Sequence, residues 1–370
     1  MIKSTKAAAV VAAAALLLTA CSSSTTGASS TTTTTTSAAG KDCPTTTLTG
    51  TPPEGQQGQQ GQQGSLGAAT SIKPADTANS TVLDPTGPQI QCGKVELTSH
   101  KDVVYATPTT AGKQVELKMD IQAPATGGAK PLVIYLPGGG FMNVSLDDNI
   151  GQRTYVAEQG YVVVAIEYRT ESDGAIYSDA VQDVKSAIAF LRQHATEYGI
   201  DPTKIAVWGQ SSGGYMAAMT GVSDSGVQAV IDQFGPSNLS KTGDDFDDAA
   251  KAANVAAGNN LAKWVYGPDT TKSTAEYTPE VAAADPSTHV TSSTPPFLLL
   301  HGTADALVSP SQTLLVADAL KAKGVPFTRY LVQGANHGDL SFVSDSGATK
   351  YWTTVTVVSK ITDFLKQRLG

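Results

Sequence analysis

The stretch from Ile205 to Met216 constrains this chain more than any other. Ile205-Ala206-Val207-Trp208 is a continuous apolar run, as expected of a strand buried on both faces. It breaks at Gly209-Gln210-Ser211-Ser212-Gly213-Gly214, and small and apolar residues then continue as a helix. A strand that becomes a helix within one Gly-x-Ser-x-Gly corner brings neighbouring backbone into close contact, and the glycines leave room for it. Such a corner would lift the Ser211 hydroxyl clear of the sheet, at a helix N-terminus that favours developing negative charge. Glycine and serine are common, so the corner gains meaning only if the chain also supplies a base, an acid and an oxyanion site.

The chain around it reads as strands alternating with helices. Short strands are expected at 94–98 and 102–106, and residues 114–123 alternate Val115, Leu117, Met119 and Ile121 on one face. Residues 131–136 and 161–166 are further buried strands, separated by a helix over 148–159. Val181, Val184, Ile188 and Leu191 recur at helical spacing within 178–198, and Gly199 closes that helix. Strands follow at 227–234, 297–300 and 327–332, with helices at 312–323 and at the C-terminus. This order indicates an α/β fold: a mostly parallel sheet covered on both faces, with an antiparallel start. Between Pro236 and Pro295 the alternation breaks into an Ala- and Asp-rich interval, which reads as a small helical cap insertion spanning 236–295.

The first ninety residues have a different character. Lys3 and Lys6 precede an apolar run from Ala7 to Leu18, too short to span a bilayer but suited to a signal peptide over 1–20. Leu18-Thr19-Ala20-Cys21 resembles the lipobox of bacterial lipoproteins, which makes Cys21 the lipidated residue and places the protein outside the cytoplasm on the cell membrane. An ordinary cleaved signal with an incidental cysteine is the alternative. Residues 21–93 show no hydrophobic periodicity; they hold an unbroken Thr31 to Thr36 and a three-fold Gly-Gln-Gln repeat, and read as a disordered tether. The folded α/β domain would then occupy 94–370. Cys43 and Cys92 are candidates for a disulfide in an oxidising compartment. The net charge of −8, with no block of lysine or arginine, argues against a nucleic-acid partner.

A serine hydroxyl becomes a nucleophile only when a base takes its proton and a third group orients that base. Five histidines allow elimination. His194 lies near the end of a long helix, His100 precedes the core sheet, and His289 sits in the loop trailing the insertion. His301 closes a strand, and His337 follows one, in Gly334-Ala335-Asn336-His337-Gly338. Loops at the C-terminal ends of parallel strands are where α/β sheets gather functional groups, which favours His337 as base. Asp305, in His301-Gly302-Thr303-Ala304-Asp305, is the acid candidate, with Asp285, Asp232 and Asp339 as weaker ones and helix capping as its alternative role. Gly138-Gly139-Gly140 follows the 131–136 strand. We assign the N–H groups of Gly139 and Gly140 as oxyanion donors, joined by that of Ser212.

With these residues in place, the chain from about residue 95 onward resembles an α/β-hydrolase of the esterase/lipase group. It is most similar to the hormone-sensitive-lipase-like esterases and to acetyl-xylan/feruloyl-esterase-like enzymes. The resemblance rests on Tyr168-Arg169, Gly209 to Gly214, His301 to Asp305 and His337-Gly338, in the order Ser211, Asp305, His337 that the fold uses. It implies a serine ester hydrolase that needs no metal and no cofactor and acts on a small-molecule or polysaccharide ester. The sequence departs where the family has His-Gly-Gly-Gly, because Pro137 replaces the histidine; a changed loop is expected there. Arg169 is similar to a structural arginine of the family, with Asp183 as partner. Two rivals stay open: a serine peptidase resembling the prolyl oligopeptidases, and a catalytically silent surface binding protein. The cluster Asp244-Asp245-Phe246-Asp247-Asp248 does not match a calcium loop and reads as surface. Trp264 and Tyr266 either line an acyl pocket or pack the insertion's core.

Overall fold

A computed structural model describes residues 31–34, 40–44, 67–339 and 350–370. The expected signal peptide, Cys21 and much of the tether lie outside the described residues. In chain order the principal elements are β1 (Thr81–Leu83), β2 (Leu97–Ala106), β3 (Leu117–Pro124), β4 (Lys130–Leu136), α1 (Ile150–Glu158), β5 (Val162–Ile166), α2 (Tyr177–Gln193), β6 (Ile200–Gln210), α3 (Ser212–Val222) and β7 (Ala229–Gln233). Three short helices, α4 (Asp248–Asn254), α5 (Asn260–Tyr266) and α6 (Pro279–Ala283), form the insertion. Then come β8 (Phe297–Gly302), α7 (Ser311–Ala322), β9 (Phe327–Val332) and α8 (Val355–Leu369).

The sheet order is β2-β3-β5-β4-β6-β7-β8-β9-β1, with Thr31–Thr34 pairing outside β2. The joins from β5 through β4, β6, β7, β8 and β9 to β1 are parallel, and β2, β3 and β5 are joined antiparallel. The fold is the α/β-hydrolase fold. Alternate residues of each central strand feed two separate cores. Leu132, Ile134, Ile205 and Val207 pack with Val184, Ile188 and Leu191 of α2 and Met216 of α3. Val133, Tyr135, Ala206 and Trp208 pack on the other face with Val156 of α1 and Val357, Ile361 and Leu365 of α8. This two-faced burial is why the strands are unbroken apolar runs. It also fixes register, because a slip of one residue would exchange the two faces.

The expected tether does not include residues 67–93. Residues 67–93 lie on the domain and do not extend as a spacer. Thr81–Leu83 pairs in parallel with Tyr330–Val332, adding a strand at the sheet edge. Arg329, 1% exposed, donates to the carbonyls of Asp76 and Ala78 and to Ser80 Oγ. Cys43 and Cys92 form a disulfide, with Cα atoms 4.7 Å apart. The sequence boundary at 93 is therefore corrected: the segment has too little apolar periodicity to read as structure, but polar bonds to a buried arginine and a covalent staple hold it.

Candidate active site

Five strands end along one edge of the sheet. In the register, Leu136 aligns with Gly209, Gln210 with Gln233, Gln233 with Leu300, and Gly302 with Val332. The loops leaving β4, β6, β8 and β9 thus meet, and they carry the glycine loop, Ser211, Asp305 and His337.

Ser211 occupies the turn between β6 and α3 with φ 55° and ψ −125°. A non-glycine residue there costs about 1–3 kcal/mol and persists only where the surroundings fix it. Here they do. The Ser211 N–H donates to Gln233 O at 2.9 Å, and α3 presses so closely on β4 and β6 that side chains are excluded. A Cβ on Gly209 would lie 2.0 Å from Gly213 O, and one on Gly213 would lie 1.9 Å from Leu136 O. The two motif glycines are thus explained by contact.

His337 Nε2 lies 2.8 Å from Ser211 Oγ, and His337 Nδ1 lies 2.8 Å from Asp305 Oδ2. Asp305 is fully buried and His337 is 3% exposed. Asp305 Oδ1 accepts the N–H groups of Leu307 and Val308, both at 2.9 Å, so its second oxygen is left for histidine. Burial acts to raise the Asp305 pKa. The charge His337 carries when protonated, with hydrogen bonds from His301 and His337, outweighs that and holds the carboxyl well below the usual range. The acid therefore stays ionised, the state that stabilises an imidazolium. The His337 ring is bracketed by Phe234 in an edge contact at 4.8 Å. Its loop is fastened by Trp352 Nε1, which donates to Asn336 O at 2.9 Å.

The glycine loop stands beside the corner. A Cβ on Gly138 would come within 3.2 Å of Ser211 Cβ, whereas one on Gly140 would meet nothing within 4 Å. Gly139 and Gly140 have φ of 153° and 63°. Among the described residues no acceptor engages the N–H groups of Gly139, Gly140 or Ser212. Pro137, in the place of a histidine, uses its carbonyl: Tyr168 Oη donates to Pro137 O at 2.7 Å. Burial raises the Tyr168 pKa, keeping that phenol a donor.

The other candidates resolve by contact. Asp285 caps the turn at Ser287 and accepts from Tyr277, Asp339 accepts the N–H groups of Tyr351 and Trp352, and Asp232 bonds the N–H of Gly235. None of the three bonds His337. His301, at the end of β8 as expected, places Nε2 3.3 Å from Asp305 Oδ2 and 3.0 Å from Val308 O, behind the acid. Its signal was the His-Gly-x-x-Asp spacing. His194 is the C-cap of α2. Arg169 pairs with buried Asp183, Nη2 to Oδ1 at 2.8 Å, and its further bonds go to Thr110 and Asp179. Trp264 is fully buried and packs on Phe141 with ring centroids 5.0 Å apart, so core packing accounts for it. In the acidic cluster Asp247 caps α4, Asp244 pairs with Lys251 at 2.8 Å, and Asp245 accepts the Ser311 N–H. Among the described residues no group of three or more His, Cys, Asp or Glu is placed to hold a metal ion.

A sequence model of the BD-FAE family matches residues 119–320. The chain belongs to the BD-FAE family. The match contains Ser211 and Asp305 and ends before His337, which only the fold brings to this BD-FAE site. Esterase LipC of Mycobacterium tuberculosis is 29% identical over 239 residues, covering 60% of this chain and 56% of that protein. The chain spans about half the length of the curated relatives it matches. Among solved structures, a thermophilic esterase of the planctomycete Thermogutta terrifontis superposes with a TM-score of 0.55 at 27% identity, over 71% of this chain and 90% of that one. A truncated carbohydrate esterase from gut microbiota superposes with a TM-score of 0.60 at 22% identity, over 80% and 99%, a likeness of fold.

Proposed function

We propose that this BD-FAE protein is a serine carboxylester hydrolase acting through Ser211, His337 and Asp305 and an acyl-enzyme intermediate. The observation that carries the reading is the unbroken line Ser211 Oγ–His337–Asp305, with 2.8 Å at each join. Ser211 attacks the ester carbonyl while His337 Nε2 takes its proton, and ionised Asp305 holds Nδ1–H and stabilises the imidazolium. The N–H groups of Gly139, Gly140 and Ser212 receive the oxyanion, each donor contributing about 3 kcal/mol to the transition state. His337 then protonates the departing alcohol, and water repeats the cycle on the acyl group. The names of the similar proteins support ester hydrolysis, and a small-molecule or carbohydrate-linked ester is the proposed substrate class.

The test is Ser211→Ala. It should remove turnover of p-nitrophenyl acetate while a wild-type melting profile is kept. Unchanged turnover would refute the assignment, and a preference for aminoacyl anilides over acyl esters would favour the peptidase reading. We also propose that Cys21 is lipidated and holds the protein on the outer side of the bacterial cell membrane. Cys21→Ala should then move the protein from the membrane fraction to the medium; retention on the membrane would contradict this.

A further inference from the structure

Within the glycine loop the N–H groups of Met142 and Asn143 donate to Gly139 O, at 3.1 Å and 3.4 Å. Gly139, Gly140 and Phe141 have three consecutive positive φ values, of 153°, 63° and 68°, and at Phe141 a side chain makes that conformation costly. Further bonds at its two ends help to fix it. Downstream of the donors, the Glu171 N–H donates to Phe141 O at 2.9 Å and Thr170 Oγ1 to Met142 O at 3.0 Å. Upstream, Tyr168 reaches Pro137 O. At Gly138, the residue immediately before the two oxyanion donors, the fastening is a carboxylate. Asp148 Oδ2 accepts the Gly138 N–H at 3.3 Å and the Tyr135 hydroxyl at 2.8 Å.

Asp148 is itself held from below. Arg153 of α1, fully buried, donates from Nε to Asp148 O at 2.8 Å and from Nη2 to Leu146 O, and lies over the Tyr135 ring at 5.5 Å. Burial raises the Asp148 pKa, and the hydrogen bonds from Tyr135 and Gly138 and the charge of Arg153 act against it. Residues 137–148 are thereby a loop whose far end returns to clasp its near end. The clasp sits on Tyr135, which points from β4 into the rigid core shared with Trp208.

We infer that Asp148 is a positioning residue for the oxyanion site: by holding the Gly138 N–H it aims the N–H groups of Gly139 and Gly140 at the space beside Ser211. The inference rests on the esterase reading above. Because the donors act on charge that develops only in the transition state, a loosened clasp slows chemistry and leaves ground-state binding nearly as it was. A role in folding alone would lower only the fraction of active enzyme, leaving KM and the boronic acid affinity of the folded fraction as in wild type.

The experiment compares full-length wild type, Asp148→Ala, Asp148→Asn and Tyr135→Phe. Readouts are kcat and KM on p-nitrophenyl acetate, inhibition by phenylboronic acid, and fluorophosphonate labelling of Ser211. Asp148→Ala should lower kcat by about ten- to a hundredfold and weaken boronic acid inhibition in step, with KM within about threefold. Asp148→Asn keeps an acceptor for Gly138 and should recover kcat to within about threefold of wild type. Tyr135→Phe removes one bond to Asp148 without emptying the core and should lower kcat severalfold, which keeps the test decisive if the alanine variant does not fold. Unchanged kcat in Tyr135→Phe and in folded Asp148→Ala overturns the inference, as does a loss that asparagine fails to rescue. A wild type that neither turns over the ester nor labels overturns the esterase reading itself, a result distinct from any ranking among the variants.

Discussion

Replacing Asp232 with asparagine should stabilise the protein above pH 7 and change little near pH 4. Asp232 is fully buried at the end of β7, where Oδ1 accepts the Gly235 N–H at 2.8 Å and Oδ2 has no partner among the described residues. Burial, partly offset by the Gly235 bond, pushes its pKa up to about 7 from an ordinary value of 3.8, and no charged neighbour contributes. Between these two values the folded protein keeps the proton and the unfolded chain has released it. The native state then binds more protons, so stability falls as pH rises, by about 1.4 kcal/mol per pH unit. Across the window from about pH 4 to pH 7 the loss is about 4 kcal/mol, after which both states are ionised and the slope vanishes. Asparagine keeps the acceptor for Gly235 and cannot ionise, so Asp232→Asn lacks this slope. Urea unfolding of both proteins at pH 5, 6, 7 and 8 measures the difference, in which contributions from other buried acids cancel. Stability curves that stay parallel across these pH values would refute the reasoning. Asp232→Asn should also retain ester hydrolysis, since Asp232 makes no bond to His337.

Two further predictions concern the acid and the staple. Asp305→Asn should reduce kcat by about 10⁴-fold, because the amide favours the wrong tautomer of His337; a loss below tenfold on p-nitrophenyl acetate would move the acid elsewhere. Cys43→Ser with Cys92→Ser opens a closure between residues 49 apart in sequence. It should cost about 4 kcal/mol by chain entropy, read as a lowered urea midpoint that dithiothreitol reproduces in the wild type but not in the variant.

The catalytic candidates were legible because their signals are local. Gly209 and Gly213 are required by contacts 2.0 Å and 1.9 Å away from any added Cβ, and Asp305 and His337 follow apolar strands that are easy to read. The strands themselves were visible as continuous runs, although 94–98 and 102–106 proved to be one irregular strand, Leu97–Ala106, with its register shifted near His100 and Val103. What stayed hidden depends on distant partners. Nothing about Asp148 distinguishes it in sequence from an acid opening a helix, and its meaning comes from Tyr135 and Gly138 above it. Likewise the order of residues 76–80 comes from Arg329, some 250 residues away. The composition of 67–93 could not reveal that. His301 lay in plain view within the Asp305 motif, but only the fold turns its ring onto the acid.

Everything proposed for this site depends on Ser211 being the nucleophile of an ester-hydrolysing triad. The most direct measurement is the mass of the protein after incubation with a fluorophosphonate, with the adduct mapped by peptide sequencing and residual ester hydrolysis followed in the same sample. One adduct per chain on Ser211, formed in step with the loss of hydrolysis and absent from Ser211→Ala, is the predicted result. An unmodified Ser211 in a protein that hydrolyses the ester, or an adduct elsewhere that accounts for the lost activity, would contradict it.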